Sequence, residues 1–375
     1  MKPKFILSKS KLLEQVKTLE ELGLKVSYSY KTNREVGNVL QEISDVDFSI
    51  HAREEIDMIK DKDKIWFFTQ AESEEDLIGI LEKGIKNFVI DNEVDLDRLL
   101  KVVERFSQFS FESQLTHPQT PSAFAKVNSR KYEQNQKQFK INISLRMKFS
   151  EHRIGSGKYF VYGMFAEKVN EIISRIKDNK LIDKLGVHIH RKSQNVSEWE
   201  IVDELRDSLS EESLKRIDVV NLGGGLPSMY KSYTAKVMPY IFEKLKNAKK
   251  FLESYNIETY IEPGRFLAAP CIELITEIIQ IYEKKIIINT TIYNGSLDTF
   301  MTNTKMLVKG ELEDDEDGDY YLIKGSSPTR DDIFRYKVKL KEPRVGDKIV
   351  FLNAGAYNYT TDFFGFKKLK TEIEE

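Results

Sequence analysis

The sequence has little of what several large classes of protein depend on. Its single cysteine, Cys271, excludes an intramolecular disulfide and any metal site built from several cysteines. Lys and Arg total 58 against 60 Asp and Glu, so the net charge of -2 gives no basic field for nucleic acid or an anionic membrane. The first apolar run is too short for a signal peptide, and no later run is long enough to span a bilayer. These absences predict a cytoplasmic enzyme or binding protein.

Short apolar runs alternate with amphipathic stretches over most of the chain. Runs such as KVSYSY, IWFFTQ, NFVID and LGVHIH are rich in β-branched and aromatic residues and predict buried strands. Stretches such as SEEDLIGILEKG and AEKVNEIISRIKDN have the periodicity of helices. Because the alternation is repeated many times, it favours a closed (β/α)8 TIM-like barrel of parallel strands over an open sheet, and thus the α/β class.

The pattern of the sequence changes near residue 268, after which predicted strands follow one another without helices between them. This change predicts a second domain, an antiparallel β-barrel or sandwich. We expect the barrel over residues 8–267 and the β domain over residues 268–375, with residues 1–7 as a candidate part of the β domain. Residues 108–139 are polar and weakly periodic, which predicts an exposed insertion in the barrel.

Polar and glycine residues follow several predicted strands at the point where each strand ends. In a β/α barrel, the carboxyl ends of the strands line the active site. Singly, each such residue is more often structural, since a strand-end lysine is usually solvated and a glycine triplet is usually a turn. Their convergence on one barrel mouth favours a shared binding site. The residues are Lys31, His188, His190, Ser193, Gly223, Gly224, Gly225, Glu262 and Arg265.

This set of residues matches the needs of pyridoxal phosphate. Three consecutive glycines let backbone N–H groups approach a phosphate, and Arg265 supplies charge-assisted hydrogen bonds to it. A carboxylate, Glu262, keeps the pyridine nitrogen protonated, so that the ring can accept electrons from a carbanion. A histidine stacks on the face of the ring, and Lys31 bonds to the cofactor.

Several motifs of the chain match those of a known family. YSYKTN matches a Y-x-x-K-x-N motif, HIHRKSQ is similar to H-x-H-x-G-S-Q, and NLGGGLP, IEPGR and the segment GAYNYTTDFFGF match three more. With these motifs the sequence resembles the pyridoxal-phosphate-dependent amino acid decarboxylases of the alanine-racemase-like fold, the group of diaminopimelate, ornithine and biosynthetic arginine decarboxylases. The resemblance implies that the cofactor is bound by Lys31, His190, Ser193, Gly223, Gly224, Gly225, Glu262, Gly264, Arg265 and Tyr357.

The sequence departs from this family where the family has its proton donor. The family motif there is G-P-x-C-[DE]-S-x-D, whereas residues 325–332 of this chain read GSSPTRDD. Pro328 replaces the cysteine that protonates the substrate carbon, and Lys31 is then the available candidate for that step. Lys192 stands where the family has a glycine, and Asp332 matches the final aspartate.

The resemblance implies a lyase that decarboxylates a dibasic amino acid, with Lys31, His190 and Glu262 as catalytic residues and no metal. Diaminopimelate, ornithine, lysine and arginine all remain open as substrates, in polyamine or lysine biosynthesis. The alternatives are another pyridoxal-phosphate reaction, such as racemisation or decarboxylation-dependent transamination, and a catalytically inactive regulatory homologue. The resemblance also implies a homodimer in which residues 325–332 of the second subunit complete each active site.

Three residues are candidates for binding the substrate. Asp298, in YNGSLDTF, and Asp332 are placed by their motifs to hold a distal substrate amine. Arg330 lies two residues from Asp332 and would share its face in an extended segment. It is expected either to neutralise Asp332 or to contact a distal carboxylate of the substrate.

Overall fold

The computed structural model describes residues 1–116, 139–149, 162–232, 236–358 and 365–375. After strand β1 (Lys4–Ser8), parallel strands close into a barrel in which each strand pairs with the next and the last returns to the first. The prediction of a closed (β/α)8 barrel is confirmed. The barrel strands are β2 (Lys25–Ser29), β3 (Asp47–Ile50), β4 (Ile65–Thr69), β5 (Asn87–Ile90), β6 (Ile141–Met147), β7 (Ile182–Ile189), β8 (Val219–Asn221) and β9 (Glu258–Ile261).

Helices connect the barrel strands. They are α1 (Lys9–Glu20), α2 (Arg34–Ile43), α3 (Glu74–Glu82), α4 (Glu93–Thr116), α5 (Ala166–Ile176), α6 (Ile201–Ser208), α7 (Glu211–Leu214), α8 (Met238–Glu253) and α9 (Arg265–Ala268), with 3-10 helices at Tyr30–Thr32, Arg53–Met58 and Lys62–Lys64. Most of the predicted insertion at 108–139 lies outside the described residues, and α4 extends into its first part. Within the described residues, no helix is long and apolar enough to cross a membrane.

Local sequence determines where these helices begin and which face they bury. In α5 the buried residues are Val169, Ile172, Ile173 and Ile176, the spacing of a single apolar stripe that packs against the barrel. At α2, the side chain of Asn33 accepts hydrogen bonds from the first backbone N–H groups of the helix. This cap fixes the chain two residues after the predicted cofactor lysine.

The remaining strands form a second, mixed sheet in the order β12-β15-β10-β11-β13-β14, with β1 pairing with β10 and β16. Most neighbours are antiparallel, as predicted for the β domain, but β1 and β16 are parallel, as are β11 and β13. The predicted domain boundaries stay a prediction. The further elements are β10 (Ile272–Tyr282), β11 (Lys285–Ile288), α10 (Ile292–Gly295), α11 (Leu297–Thr302), β12 (Leu307–Val308), β13 (Asp319–Lys324), β14 (Ile333–Leu340), β15 (Lys348–Leu352) and β16 (Lys370–Glu374).

Asp47 begins β3 at the amino end of the barrel, away from the predicted site. Burial raises the pKa of Asp47 to about 6, and hydrogen bonds from Trp66 and Tyr260 oppose this only in part. The folded protein therefore holds a proton on Asp47 more tightly than the unfolded chain does. Ionisation of Asp47 therefore lowers the free energy of unfolding. This loss grows as the pH rises from 3.8, the ordinary pKa of an aspartate, through about 6.

We expect Asp47→Asn to raise the free energy of unfolding at pH 8 by about 1–2 kcal/mol, because the amide keeps an acceptor for Trp66 and removes the buried charge. The gain should shrink as the pH falls through 6 and disappear near pH 4. Denaturant unfolding at these three pH values measures it. Asp45→Asn, at an exposed carboxylate in the loop before β3, is the matched control; it should give no gain in stability as the pH rises, because the hydrogen bond from Lys64 lowers the pKa of Asp45. An equal gain at pH 4 and pH 8 would contradict the assignment.

Candidate active site

Lys31 lies in the 3-10 helix Tyr30–Thr32 that follows β2, at the carboxyl end of the barrel. Part of its side chain is exposed, but the amine lies inside the barrel mouth, and burial there lowers the pKa of Lys31. The carboxylate of Glu262 opposes this shift, whereas the guanidinium of Arg146 adds to it. A lowered pKa increases the share of neutral amine, the form that attacks a carbonyl carbon.

Glu262 follows β9 and is only 4% exposed. The ring of His188, on β7, is fully buried and donates a hydrogen bond from Nε2 to Glu262 Oε2 at 2.8 Å. Burial alone would raise the pKa of Glu262, but this hydrogen bond and the neighbouring histidines outweigh it and lower the pKa to about 2. Glu262 is therefore ionised at neutral pH, as the partner of a protonated ring nitrogen must be.

Aromatic rings line one side of the site. His51 stacks on Phe68 at 4.3 Å between ring centroids, Phe68 meets His188 edge-on at 5.1 Å, and His188 stacks with His190 at 6.3 Å. Burial lowers the pKa of His51 to about 3 and of His190 to about 4, so both rings are neutral. His190 also has exposed surface at the barrel mouth, where a stacked cofactor ring would have to lie.

Gly223, Gly224 and Gly225 form a tight turn after β8. A Cβ atom on Gly223 would lie 1.9 Å from the carbonyl oxygen of Ile189, and one on Gly225 would lie 2.8 Å from that of Lys192. Both glycines also have positive φ, 71° and 100°. Because only glycine fits, no side chain of the turn covers its backbone, which is the property of a phosphate-binding turn.

Arg265 begins α9 and is buried. Its guanidinium donates two hydrogen bonds to the carboxylate of Asp298, at 2.5 and 3.0 Å, and a third to the hydroxyl of Tyr230 at 3.0 Å. Its Nε donates to Ser193 Oγ at 3.4 Å. The structure thus brings together Arg265 and Ser193, two of the predicted cofactor ligands.

Asp298 was predicted to hold a distal substrate amine, and the structure gives it another partner. Its carboxylate is 2% exposed and is neutralised by the two-point contact with Arg265. Both carboxylate oxygens of Asp298 therefore accept hydrogen bonds from Arg265 in this structure. We interpret Asp298 as the residue that orients Arg265.

Asp332 and Arg330 also lie differently from what the sequence suggested. Asp332 is fully buried, and its carboxylate accepts hydrogen bonds from the N–H of Ile292 at 2.7 Å and from the N–H and hydroxyl of Ser327 at 2.9 and 2.6 Å. The side chain of Arg330 is 91% exposed and pairs with Asp331 at 2.9 Å, so it does not neutralise Asp332, which was one of the two roles expected for it; contact with a distal substrate carboxylate stays a prediction. The segment turns at Arg330 instead of continuing extended, which separates the two side chains.

Tyr357 comes from the segment after β15 and reaches the barrel beside the cofactor lysine. Its N–H donates to the carbonyl of Thr32 at 3.1 Å, and the Thr32 hydroxyl donates to its phenolic oxygen at 3.2 Å. The guanidinium of Arg265 lies 5.3 Å from the centre of its ring. Gly264 packs under the same threonine, since a Cβ there would lie 2.2 Å from Thr32 Oγ1. Tyr357 therefore lies beside a predicted phosphate ligand.

Sequence reasoning missed two residues of the site. Arg146, near the end of β6, donates to Asp91 at 3.2 Å, and its charge acts on Lys31 and on the site histidines. His51 follows β3 and stacks on Phe68, in the row of aromatic rings that lines one side of the site. The available signals were an arginine inside the apolar run INISLRM and a histidine at a strand end in FSIHA.

The site residues fit pyridoxal phosphate on their own chemistry. A glycine-lined turn with Arg265 and Ser193 beside it suits a phosphate, an ionised and buried Glu262 suits a ring N–H, and Lys31 suits an aldehyde. The buried Nδ1 of His51 has no hydrogen-bond partner among the described residues. A bound molecule could form a hydrogen bond with this atom. The fold and site together define a barrel enzyme built to hold this cofactor.

Comparison with known proteins shows the family. The model for the pyridoxal-binding domain of pyridoxal-dependent decarboxylases matches residues 9–269, and the chain belongs to that family. A carboxynorspermidine/carboxyspermidine decarboxylase from Herminiimonas arsenicoxydans is 26% identical over 184 residues, which are 47% of this chain and 47% of that protein. The match thus spans about half the length of the curated relative.

Solved structures share the fold over almost the whole chain. Lysine decarboxylase from Selenomonas ruminantium has a TM-score of 0.75 at 16% identity, covering 99% of this chain and 92% of its own. Diaminopimelate decarboxylase from Helicobacter pylori, complexed with L-lysine, has a TM-score of 0.76 at 17% identity, covering 100% and 92%. The arginine decarboxylase of Paramecium bursaria Chlorella virus has a TM-score of 0.72 at 19% identity, covering 100% and 97%. At these identities the likeness shows the fold.

We expect Asp298→Asn to weaken pyridoxal phosphate binding about tenfold, because the buried guanidinium of Arg265 loses the charged partner that holds it in place. Fluorescence titration of the cofactor-free protein measures the dissociation constant. Asp97→Asn, which removes a carboxylate from the exposed Arg175, is the matched control and should leave the dissociation constant unchanged. Unchanged or tighter binding in Asp298→Asn would show that Asp298 does not prepare Arg265 for the phosphate.

Proposed function

We propose that this protein is a pyridoxal-phosphate-dependent decarboxylase of a dibasic amino acid, a carbon–carbon lyase. The observation that carries the proposal is the meeting of Lys31, ionised Glu262 and the neutral His190 at the mouth of a barrel that belongs to this family. The retained lysine and carboxylate also argue against an inactive homologue, which would not need them.

The chain's own residues have distinct tasks in this reaction. Pyridoxal phosphate supplies, when bound, an electron-accepting ring for the carbon that loses carbon dioxide. Lys31 would hold the cofactor covalently and would give way to the substrate amine. Glu262 would keep the proton on the ring nitrogen. Arg265 and the glycine turn would bind the phosphate, and His190 would cover one face of the ring.

The last step requires a proton for the substrate carbon. Pro328 has none to give at the position of the family's cysteine. Cys271 does not replace it, because it is buried after α9, bonds the carbonyl of Ala268, and has a pKa raised to about 12 by burial. We assign this task to Lys31: once displaced by the substrate amine, its ammonium would give a proton to the substrate carbon and so become the neutral amine that could bind the cofactor again.

The substrates after which the related decarboxylases are named suggest the class of substrate. Lysine, arginine, diaminopimelate and carboxynorspermidine each combine an amino acid head group with a second basic group. We infer that this chain also acts on such a molecule, in polyamine or lysine biosynthesis. Racemisation is the second candidate, favoured by the replacement of the cysteine by Pro328.

Mass spectrometry of a substrate panel tests this proposal. The panel contains lysine, ornithine, arginine, diaminopimelate and a carboxylated polyamine, each incubated with the cofactor-loaded protein and with Lys31→Ala. A decarboxylase yields a product lighter by one carbon dioxide, whereas a racemase leaves the mass unchanged and yields the other stereoisomer, which chiral chromatography before the mass spectrometer separates. A loaded protein that converts no member of the panel would overturn the proposal.

We further propose a homodimer in which residues 325–332 complete the partner's site. Exposed apolar side chains lie near this segment: Phe300 contacts Tyr293 at 5.8 Å between ring centres, and the hydroxyl of Tyr293 lies 2.8 Å from that of Thr329. Met301 beside it is 70% exposed, which is typical of a surface that another subunit covers. Sedimentation equilibrium of the loaded protein should give twice the mass of the chain. The predicted cytoplasmic location stays a prediction.

A further inference from the structure

His188 is a buried histidine to which the proposed mechanism gives no task. It lies on β7 and Glu262 follows β9; these are alternate strands of the barrel, which contribute side chains to the same interior layer. The ring nitrogen Nε2 lies 2.8 Å from Glu262 Oε2, and both side chains are buried. Because an ionised carboxylate can only accept, Nε2 carries the proton.

The second ring nitrogen, Nδ1, completes the description of how His188 is protonated. Burial lowers the pKa of His188, so the ring is neutral and Nδ1 carries no proton. Nδ1 is buried and has no hydrogen-bond partner among the described residues. Among the described residues, the hydrogen bonding of the His188 ring is thus carried by Nε2 alone.

Both members of the pair are held in orientation by their surroundings. Phe68 meets the ring of His188 edge-on at 5.1 Å and His190 stacks on it at 6.3 Å, so the direction of its N–H is fixed. The backbone N–H of Glu262 donates to the carbonyl of Gly223 at 2.9 Å, which ties Glu262 to the glycine turn. Oε2 bonds His188, and no side chain or N–H in the described part of the chain donates to the second carboxylate oxygen, which is left for another donor.

We propose that His188 is a positioning residue for Glu262: it holds one carboxylate oxygen so that the other is presented to the ring nitrogen of the cofactor. This inference rests on the proposed function. Without the N–H of His188, burial would raise the pKa of Glu262, and a protonated carboxyl would not balance a ring N–H. The other charged or titratable groups around His188 are Lys31, Arg146, His51 and His190.

Two substitutions separate hydrogen bonding from packing. His188→Phe keeps a ring between Phe68 and His190 but has no N–H. His188→Gln loses the ring but has an amide N–H at nearly the reach of Nε2. A positioning role predicts that glutamine is tolerated and phenylalanine is not, whereas a packing role predicts the reverse.

In the cofactor-loaded protein we expect His188→Phe to lower kcat about 30-fold, because the cofactor ring accepts electrons less well. KM should change less than about threefold, because substrate binding is not affected. The visible absorbance of its bound cofactor should change with pH between 6 and 9, where the wild type stays constant. His188→Gln should retain kcat within about fivefold and keep the wild-type absorbance. A phenylalanine variant with wild-type kcat and absorbance, or a glutamine variant as impaired as phenylalanine, would overturn the inference.

A measurement on the cofactor-free wild type keeps this test apart from that of the proposed function. The ¹⁵N chemical shifts of its histidine rings should show His188 neutral with the proton on Nε2 at pH 7, and Glu262→Gln identifies the resonance by shifting it. A ring that is charged, or protonated on Nδ1, would overturn the role of His188 even if the enzyme is active. Failure of the wild type to bind the cofactor would instead overturn the proposed function and leave this measurement standing.

Discussion

Replacing Lys31 by alanine should lower kcat by about 10⁴-fold or more, because the covalent attachment of the cofactor and the proposed proton donor are lost together. Steady-state decarboxylation of the substrate found in the panel measures the loss. In parallel, borohydride treatment of the wild type should attach a pyridoxyl group to the peptide that contains Lys31. The alanine variant should still bind some cofactor, since the phosphate ligands are intact, but release it on dialysis.

Lys192 provides the matched control for this experiment. It is also a lysine of a loop after a barrel strand, but it is half exposed and pairs with Glu198 at 3.3 Å. Lys192→Ala should keep kcat within about twofold, as most surface substitutions do. Pyridoxyl label on the peptide of Lys192 instead of Lys31 would contradict the assignment of the cofactor lysine.

Replacing Glu262 by glutamine should lower kcat by about 10²- to 10³-fold while the cofactor stays bound. The amide cannot carry the charge that stabilises a protonated ring nitrogen, but Arg265 and the glycine turn still hold the phosphate. The pKa of Glu262 is about 2, so the wild-type carboxylate stays ionised throughout the working range. Neither kcat nor the cofactor absorbance of the wild type should therefore titrate with Glu262 above pH 5.

Glu258 is the matched control, because it lies on the same strand at the opposite end of the barrel. It pairs with Lys25 at 2.7 Å and with Lys184 at 3.2 Å. Glu258→Gln removes a carboxylate of the same strand without touching the barrel mouth, and it should keep kcat within about twofold. Wild-type kcat in Glu262→Gln, or an equal loss in both variants, would remove Glu262 from the catalytic residues.

The barrel was predictable because its signals are local. Each strand is a short apolar run followed by a stretch with helical periodicity, and the buried stripe of α5 is readable in AEKVNEIISRIKDN. The sheet of the β domain was predictable only in outline. The parallel pairing of β1 with β16 joins segments at opposite ends of the sequence, and no local periodicity encodes such a register.

The site residues also divide into those that the sequence predicts and those that it does not. Lys31, Glu262 and the glycine turn were found because they follow barrel strands, where fold geometry alone places them at the mouth. The partner of Arg265 was not found, because Asp298 reaches it from a helix of the β domain. Asp332 was expected to hold a substrate amine because it matches the final aspartate of the motif, yet two backbone N–H groups and a hydroxyl occupy its carboxylate. Such side-chain pairings depend on how the β domain packs on the barrel.

The position of β1 imposes an order of events on protein synthesis. Lys4 forms an ion pair with Glu372, a residue translated 368 positions later. At about 5–20 residues per second, roughly 20–70 s separate the two on the ribosome. During this time β10 can pair with one edge of β1, the strand of Phe5 and Leu7, but the other edge has no partner until β16 is made and can template unwanted pairing. Damage to Lys370–Glu374 should therefore appear first as aggregation of newly made chains, before any change in the turnover of those that fold.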